Sequence, residues 1–317
     1  MSQLVSFGET MLRLSPPDGT RLETARSLEF RIGGAESNVA VAAARVGADA
    51  TWISKLPASP LGRRVLHTLH AHAVNTEIVW DQDARQGTYF IEFGDRPRGT
   101  QVIYDRADAA ITTAKTEELP TDIVEAAEYF VVSGITPALS GQLTETTADL
   151  LAIAQTANTQ TVLDLNYRSK LWDYETAAAT IDSLLDAVDI FVLPERDAEA
   201  LWGIAGERDE VTNTIRARWD LDTVILTCGA WGAVARTEET MIEQRTFDTE
   251  TADPIGTGDT FLGVLLGRLI SGADLATAME WGAAGAALKR TIRGDIAVIT
   301  PEEITTVIAE ADAGVDR

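Results

Sequence analysis

Residues Asp253-Pro254-Ile255-Gly256-Thr257-Gly258-Asp259 are the stretch of this sequence best suited to chemistry. They precede an apolar segment, Thr260 to Leu269, that reads as a helix. Two glycines at a helix start let backbone N–H groups converge on one point, and the helix dipole adds positive potential there. Such a point suits a transferring phosphoryl group, whose equatorial oxygens carry charge in the transition state. Asp259 stands beside it, and a carboxylate in that place accepts the proton of an attacking hydroxyl. On spacing alone, Gly-x-Gly-Asp is equally a turn followed by an N-cap. No Gly-x4-Gly-Lys-Ser/Thr occurs, which excludes a P-loop kinase.

Other reactive residue types read as structural. Cys228 is the single cysteine, which excludes an intrachain disulfide framework and a cysteine zinc cage. It follows an expected buried strand and has no histidine beside it in sequence, so it reads as a packed thiol. His67, His70 and His72 fall on one expected helix without the i, i+4 spacing of helical zinc sites, and read as a solvated face. Gly263 and Gly267, four apart, suit close packing of two helices.

The elements that must position this chemistry alternate in type. Val131-Val132, Thr161 to Leu165, Ile190 to Leu193 and Val224 to Thr227 are short apolar runs that read as buried strands. Amphipathic segments lie between them, among them Gln142 to Ala157 and Glu175 to Val188. Over residues 111–317 this alternation predicts an α/β fold with a mostly parallel sheet covered by helices on both faces. The N-terminal third differs. Leu4 to Leu14 reads as a strand interrupted at Gly8. Residues 36–46 read as a small-residue helix closed by Gly47, and 60–73 as another helix. Three strands without helices follow: Glu77 to Trp80, Thr88 to Phe93 and Thr100 to Arg106. Gly94-Asp95-Arg96-Pro97-Arg98-Gly99 joins the last two as a hairpin. We expect one domain over 1–317, with a small β-sheet lid drawn from about 9–32 and 75–110.

The 317 residues carry a net charge of −23, and 45% of them are hydrophobic. Phosphate backbones are bound by clustered Lys and Arg, so nucleic acid is excluded as a partner. The acids are scattered rather than gathered in a tail, and lysine occurs only at 55, 115, 170 and 289. Net charge of this size is a lever used by halophilic proteins. No apolar run approaches the length of a membrane span, and Met1 to Thr10 has no signal-peptide character, so the expected location is the cytoplasm, with no membrane partner.

The segment Asp253 to Asp259 resembles the C-terminal signature of the ribokinase-like (PfkB) carbohydrate kinases. Gly33-Gly34-Ala35-Glu36-Ser37-Asn38-Val39-Ala40 resembles the N-terminal signature, about 220 residues upstream in the family's order. Together the two are specific, and the strand–helix order between them fits, so the resemblance covers essentially the whole chain. It implies a ribokinase-like sheet flanked by helices, a β-sheet lid, and transfer of the ATP γ-phosphate to a primary hydroxyl with Mg²⁺. K⁺ is left open as a second cation.

Within that family four stretches are most similar to the 2-keto-3-deoxygluconate kinases. They are Phe7 to Pro16, the hairpin carrying Tyr89, Tyr104 and Arg106, Ser133 to Ser140, and Leu163-Asp164-Leu165-Asn166-Tyr167-Arg168 with Leu171-Trp172. The substrate so implied is a sugar acid, and arginine binds carboxylates in a bidentate fork. Tyr104 and Arg106, two apart on a strand, point to one face, and Tyr89 on the partner strand faces the same side. Arg168 follows a buried strand, where α/β folds place ligand groups. Without the family, the hairpin pair reads as surface cover, Arg168 as a loop ion pair and Gly33-Gly34 as a tight turn.

The resemblance carries roles over to individual residues. Gly34, Asn38, Tyr89, Tyr104, Arg106, Arg168 and Asp295 are implied on the substrate side, and Asp259 as the base. Gly256, Thr257 and Gly258 are implied as the anion hole, and Asn166, Thr227, Gly229 and Gly232 as nucleotide contacts. Asp197, at the family's metal-organising acidic position, replaces a longer Glu, and Pro194 replaces an Asn. Positive charge usual near Thr227 and Cys228 is missing, and Thr257 replaces a common Ala. The implied reaction yields 2-keto-3-deoxy-6-phosphogluconate. A kinase of fructose, ribose or a nucleoside stays open, as does a non-catalytic sugar- or nucleotide-binding regulator on the same fold. Free edges of the lid sheet suggest a homo-oligomer.

Overall fold

The computed structural model describes residues 2–94 and 97–315. Asp95 and Arg96 of the expected hairpin turn lie outside the described residues. In chain order the elements begin with β1 (Leu4–Phe7), β2 (Met11–Ser15), β3 (Glu29–Gly33), α1 (Ala35–Arg45), β4 (Ala50–Pro57) and α2 (Pro60–Ala71). Three strands follow, β5 (Asn75–Asp81), β6 (Thr88–Glu92) and β7 (Gln101–Asp105). The alternating half then runs α3 (Thr121–Glu125), β8 (Tyr129–Ser133), α4 (Gly141–Thr156), β9 (Gln160–Asp164) and α5 (Tyr174–Leu184). It continues with β10 (Ile190–Pro194), α6 (Glu195–Trp202), α7 (Arg208–Trp219), β11 (Thr223–Thr227), β12 (Gly232–Arg236) and β13 (Met241–Arg245). Three helices close the chain: α8 (Thr257–Ile270), α9 (Leu275–Arg290) and α10 (Pro301–Val315). Among the described residues, no helix is long and apolar enough to cross a membrane.

Nine strands form the large sheet in the order β13-β12-β11-β10-β9-β8-β1-β4-β5. It is parallel from β5 to β11 and ends in the antiparallel pairs β11–β12 and β12–β13. The side-chain period of two sends successive residues to opposite cores. Phe130 and Val132, Phe191 and Leu193, and Val224 and Leu226 pack with α4, α5 and α7. Val131, Val192 and Ile225 point the other way, to α1, α8 and α9. This is the two-faced α/β sandwich expected from the sequence.

Three expectations need correction. Leu4 to Leu14 is two strands in two different sheets, because the chain leaves the large sheet at Gly8-Glu9-Thr10. Residues 75–81 do not join the small sheet; β5 pairs in parallel with β4 as an edge of the large one. The small sheet is β3-β2-β6-β7, so the lid range proposed from sequence was too wide at residue 75. Finally, α8 begins at Thr257 rather than Thr260, which places Gly258 and Asp259 inside its first turn.

The close approach of α1 and α8 sets the site. A Cβ on Gly263 would lie 2.4 Å from the Val39 carbonyl oxygen and 2.6 Å from Ala42 Cβ, and one on Gly267 would lie 2.4 Å from Val46. The small residues Ala40, Ala42 and Ala43 on α1 are fully buried. Glycines four apart let the two backbones approach, as the spacing predicted. Gly263→Val is expected to force the helices apart and to lower stability by about 1–3 kcal/mol, the usual cost of overpacking. Thermal unfolding beside Gly141→Ala, whose new methyl meets open space, checks this. Equal melting temperatures for the two variants would refute it.

Candidate active site

Parallel α/β sheets present ligand groups at the carboxyl ends of their strands. Here β11, β10, β9, β8 and β1 are consecutive neighbours, so the chain beyond Thr227, Pro194, Asp164, Ser133 and Phe7 forms one rim. A cavity of about 480 Å³ lies between that rim, the small sheet and the start of α8. Gly34, Asn38, Tyr89, Tyr104, Arg106, Asn166, Arg168, Asp197, Thr227, Gly256, Thr257, Gly258, Asp259 and Asp295 all line it. Gly229 and Gly232 do not. They flank the turn Gly229–Trp231 that leads into β12, and Gly232 lies against the Gln244 carbonyl of β13. Their glycine character serves that turn rather than the cavity wall.

Gly256 is the N-cap of α8 in the left-handed region, φ 78°. A Cβ there would lie 2.2 Å from the Asp295 carbonyl oxygen, so only glycine fits. The first-turn N–H groups of Gly258 and Asp259 have no helical acceptor, as at any helix start. Thr257 N–H is turned to the Pro254 carbonyl at 3.4 Å. The cavity therefore meets a helix N-terminus with donors available to an anion.

Asp259 projects from that turn, and Asn38 Nδ2 donates to its Oδ2 at 2.6 Å. Burial raises the Asp259 pKa, while the Asn38 hydrogen bond and the charges of Arg168 and Lys289 oppose the rise. Asp164, at the end of β9, is pushed up to about 7 by burial and then by the Asp259 charge. Asn166 Nδ2 donates to Asp164 at 3.0 Å. Two carboxyls of raised pKa thus share one cavity, an arrangement found more often at reactive sites than elsewhere.

The opposite wall comes from the small sheet. Tyr89 and Tyr104 are directly paired across β6 and β7, with ring centroids 6.1 Å apart. Arg106 lies just beyond β7, over the Tyr104 ring, and is ion-paired to the buried Glu9. Its charge is therefore partly committed within the protein. Arg168 remains open to the cavity, its guanidinium touching only its neighbour's carbonyl at 3.3 Å among the described residues. Lys170 Nζ donates to the Val102 carbonyl of β7 at 2.5 Å, tying the small sheet to the loop after β9.

Sequence reasoning passed over several residues that organise the site. Arg13, on β2 and 2% exposed, is ion-paired to Asp253 at 2.9 Å and to Asp295. Tyr89 Oη donates to Asp295 at 2.5 Å. Asp253 in turn accepts from the backbone N–H groups of Ile255 at 3.0 Å and Gly294 at 2.9 Å. Glu36 is buried at the start of α1 and accepts from the Ser133 and Thr136 hydroxyls at 2.6 and 2.7 Å, which anchors the loop after β8. A sequence signal existed: Arg13, Glu36 and Asp164 are charged residues set inside otherwise apolar or small-residue windows. Buried charges are tolerated only with partners, so each one marks a contact.

Cys228 is half-buried, and burial pushes its thiol up to about 11, which disfavours the thiolate and fits the packed thiol expected from the sequence.

The family model for pfkB carbohydrate kinases matches residues 1–302. The chain belongs to the pfkB family of carbohydrate kinases. It is 55% identical to a 2-dehydro-3-deoxygalactonokinase of Haloferax volcanii, over 100% of this chain and 99% of that protein. It is 28% identical to a 2-dehydro-3-deoxygluconokinase of Bacillus subtilis, over 92% of this chain and 90% of that protein. The crystal structure of a 2-dehydro-3-deoxygluconokinase from Thermotoga maritima superposes with a TM-score of 0.90 at 33% identity, covering 98% of this chain and 99% of the other. The acidic composition matches the halophilic origin of the Haloferax relative.

The Asp164 carboxyl gives a signed pH prediction. Its folded pKa of about 7 stands above the ordinary aspartate value of 3.8. Its contribution to stability is thus fully present below about pH 4 and is lost as pH rises through about 7. Asp164→Asn is expected to flatten that loss, gaining melting temperature relative to the wild type between about pH 5 and pH 8. Parallel melting curves for the two proteins across that range would refute the shift.

Proposed function

We propose that this kinase transfers the γ-phosphoryl group of ATP to the terminal hydroxyl of a 2-dehydro-3-deoxy sugar acid. The galactonate-derived acid is the first choice and its gluconate-derived epimer the second. One observation carries the reading: a single cavity joins the α8 N-terminus and Asp259 to a wall of Tyr89, Tyr104, Arg106 and Arg168. The first half suits an anionic phosphoryl group beside a base. The second half suits an acid that also bears hydroxyls. The Haloferax relative, at 55% identity, favours the galactonate-derived epimer; the Thermotoga structure, at 33%, favours the gluconate-derived one.

The sugar acid binds beneath the small sheet, which acts as a lid. Arg168 meets its carboxylate, with Arg106 held in place by Glu9. Tyr89, Tyr104 and the Gly34 backbone orient the hydroxyls. Asn38 holds Asp259 toward the terminal hydroxyl, and Asp259 takes its proton as the oxygen attacks phosphorus. The N–H groups of Gly258 and Asp259 face the charge that develops on the phosphoryl oxygens. Asp197, a cavity-lining carboxylate 6% exposed, suits Mg²⁺, which takes one or two carboxylates and completes its shell with phosphates and water. When bound, that ion neutralises charge on the phosphate oxygens. The lid shields the reacting atoms from water and so limits ATP hydrolysis.

Turnover should be compared for both keto-deoxy acids, fructose, ribose and adenosine, with ATP and Mg²⁺ in molar KCl. The expected order places the keto-deoxy acids first, and a preference for any neutral sugar would overturn the substrate reading. Asp259→Asn is expected to lower kcat by about 10²- to 10⁴-fold with the KM for ATP nearly unchanged. Near-normal turnover in that variant would remove Asp259 from the chemistry. Arg168→Met should raise the KM for the keto-deoxy acid by about 10- to 100-fold, the loss expected for a charged hydrogen bond. Fructose turnover, however slow, should be unaffected; an equal loss on both substrates would instead assign Arg168 a structural role.

A further inference from the structure

The phosphoryl-transfer reading gives no task to Lys289, a buried cation close to the α8 N-terminus. Lys289, in the last turn of α9, is 0% exposed. Its Nζ donates to the Ile292 carbonyl at 3.1 Å. That bond spans the turn leaving α9, and the same turn cradles the segment that leads into α8. Arg290 O accepts from the N–H groups of Ala252 at 2.8 Å and Asp253 at 3.1 Å. Gly294 N–H donates to the Asp253 carboxylate at 2.9 Å. The Asp295 carbonyl oxygen occupies the space where a side chain on Gly256 would start. The shape of the α8 N-terminus thus depends on the turn that Lys289 closes.

We propose that Lys289 is a positioning residue for phosphoryl transfer: its buried ammonium holds this turn beneath the α8 N-terminus and adds positive charge behind Asp259. Burial lowers the Lys289 pKa, and its acidic neighbours oppose that fall. Asp253 from the loop before α8, Asp259 from α8 and Asp295 from the turn after α9 are its acidic neighbours, and Arg13 from β2 is its like-charged one. Three carboxylates thus face two cations. With Lys289 neutral, Asp259 would keep only Arg168 as a cation acting on it, because Arg13 is already paired to Asp253 and Asp295. Asp259 would then lose a charge that favours its basic form. A lysine suits the place because it is a point charge on a narrow stem, whereas arginine brings a wide planar fork. This chain has only four lysines among 26 basic residues, and one of them is placed here.

The inference rests on Asp259 acting as base in the proposed reaction, so its test has one readout that needs no turnover. Lys289→Gln keeps an N–H for Ile292 and removes the charge; Lys289→Ala leaves room for a small cation. The Asp259 carboxyl is titrated by carbon-13 NMR in the wild type and in Lys289→Gln, with Asp259→Asn providing the assignment. We expect the Asp259 pKa to rise in Lys289→Gln, and the acid limb of kcat against pH to move up with it. Turnover should fall by about 10- to 100-fold, as for a small displacement of reacting groups. Ammonium, exchanged for tetramethylammonium at constant ionic strength, should restore turnover to Lys289→Ala and leave the wild type unchanged. An unmoved Asp259 titration in folded Lys289→Gln overturns the inference, whatever the activity. A raised Asp259 pKa in a protein that phosphorylates no sugar upholds the electrostatic link and overturns the kinase reading instead. Loss of turnover with an unmoved acid limb and no rescue by ammonium assigns Lys289 a purely structural role and overturns the inference.

Discussion

The guanidinium of Arg13 is the constraint on which the rest of the site depends. It starts on the small sheet, is withdrawn from solvent, and ends between Asp253 and Asp295, which belong to the segments before α8 and after α9. A buried charge without partners is prohibitive, so the two sheets meet in the one arrangement that satisfies all three groups. Tyr89 joins through Asp295, which couples the substrate-facing strand to the same anchor. Such a cluster adds little net stability against a well-packed apolar alternative, yet breaking one member is costly. Its effect is to define position: the small sheet and the α8 N-terminus hold a common register.

That register gives meaning to the charge distribution. A chain of net charge −23 is poorly disposed to bind the anionic phosphates that a carbohydrate kinase must handle. The cavity answers locally, with a helix N-terminus, the open Arg168, and the buried Arg13 and Lys289 behind Asp253 and Asp295. Short-range charges in a dry site outweigh a diffuse surface charge that salt screens. The acids on the surface and those in the cavity therefore have separate physical roles. The surface acids confer solubility, while Asp164 and Asp259 are held at raised pKa by burial.

Helix packing supplies the remaining precision. Asn38 and Asp259 lie 221 positions apart in the chain, yet their side chains meet at 2.6 Å. They meet because α1 and α8 approach through alanine and glycine, which leave no side chain between the backbones. The two family signatures are thus two halves of one contact. Gly263 and Gly267 serve that proximity, and the Asn38–Asp259 contact follows from it.

The sequence alone determined the local chemistry and the class of fold. Period-two apolar runs between amphipathic segments specified strands buried on both faces, and Gly256 to Asp259 specified a helix start able to receive an anion. These features are legible because they depend on neighbours a few residues away. The sequence could not show that Leu4 to Leu14 divides between two sheets, since a glycine interruption looks the same in either case. Nor could it assign β5 to the large sheet, because an edge strand half-open to solvent carries the same pattern in both settings. Arg13, Glu36 and Asp164 stood in the sequence as isolated charges in apolar or small-residue surroundings. Only tertiary structure supplied their partners, which come from segments as many as 282 positions away. A charge in a low-dielectric interior is defined by what faces it, and that is a property of the folded chain rather than of any window along it.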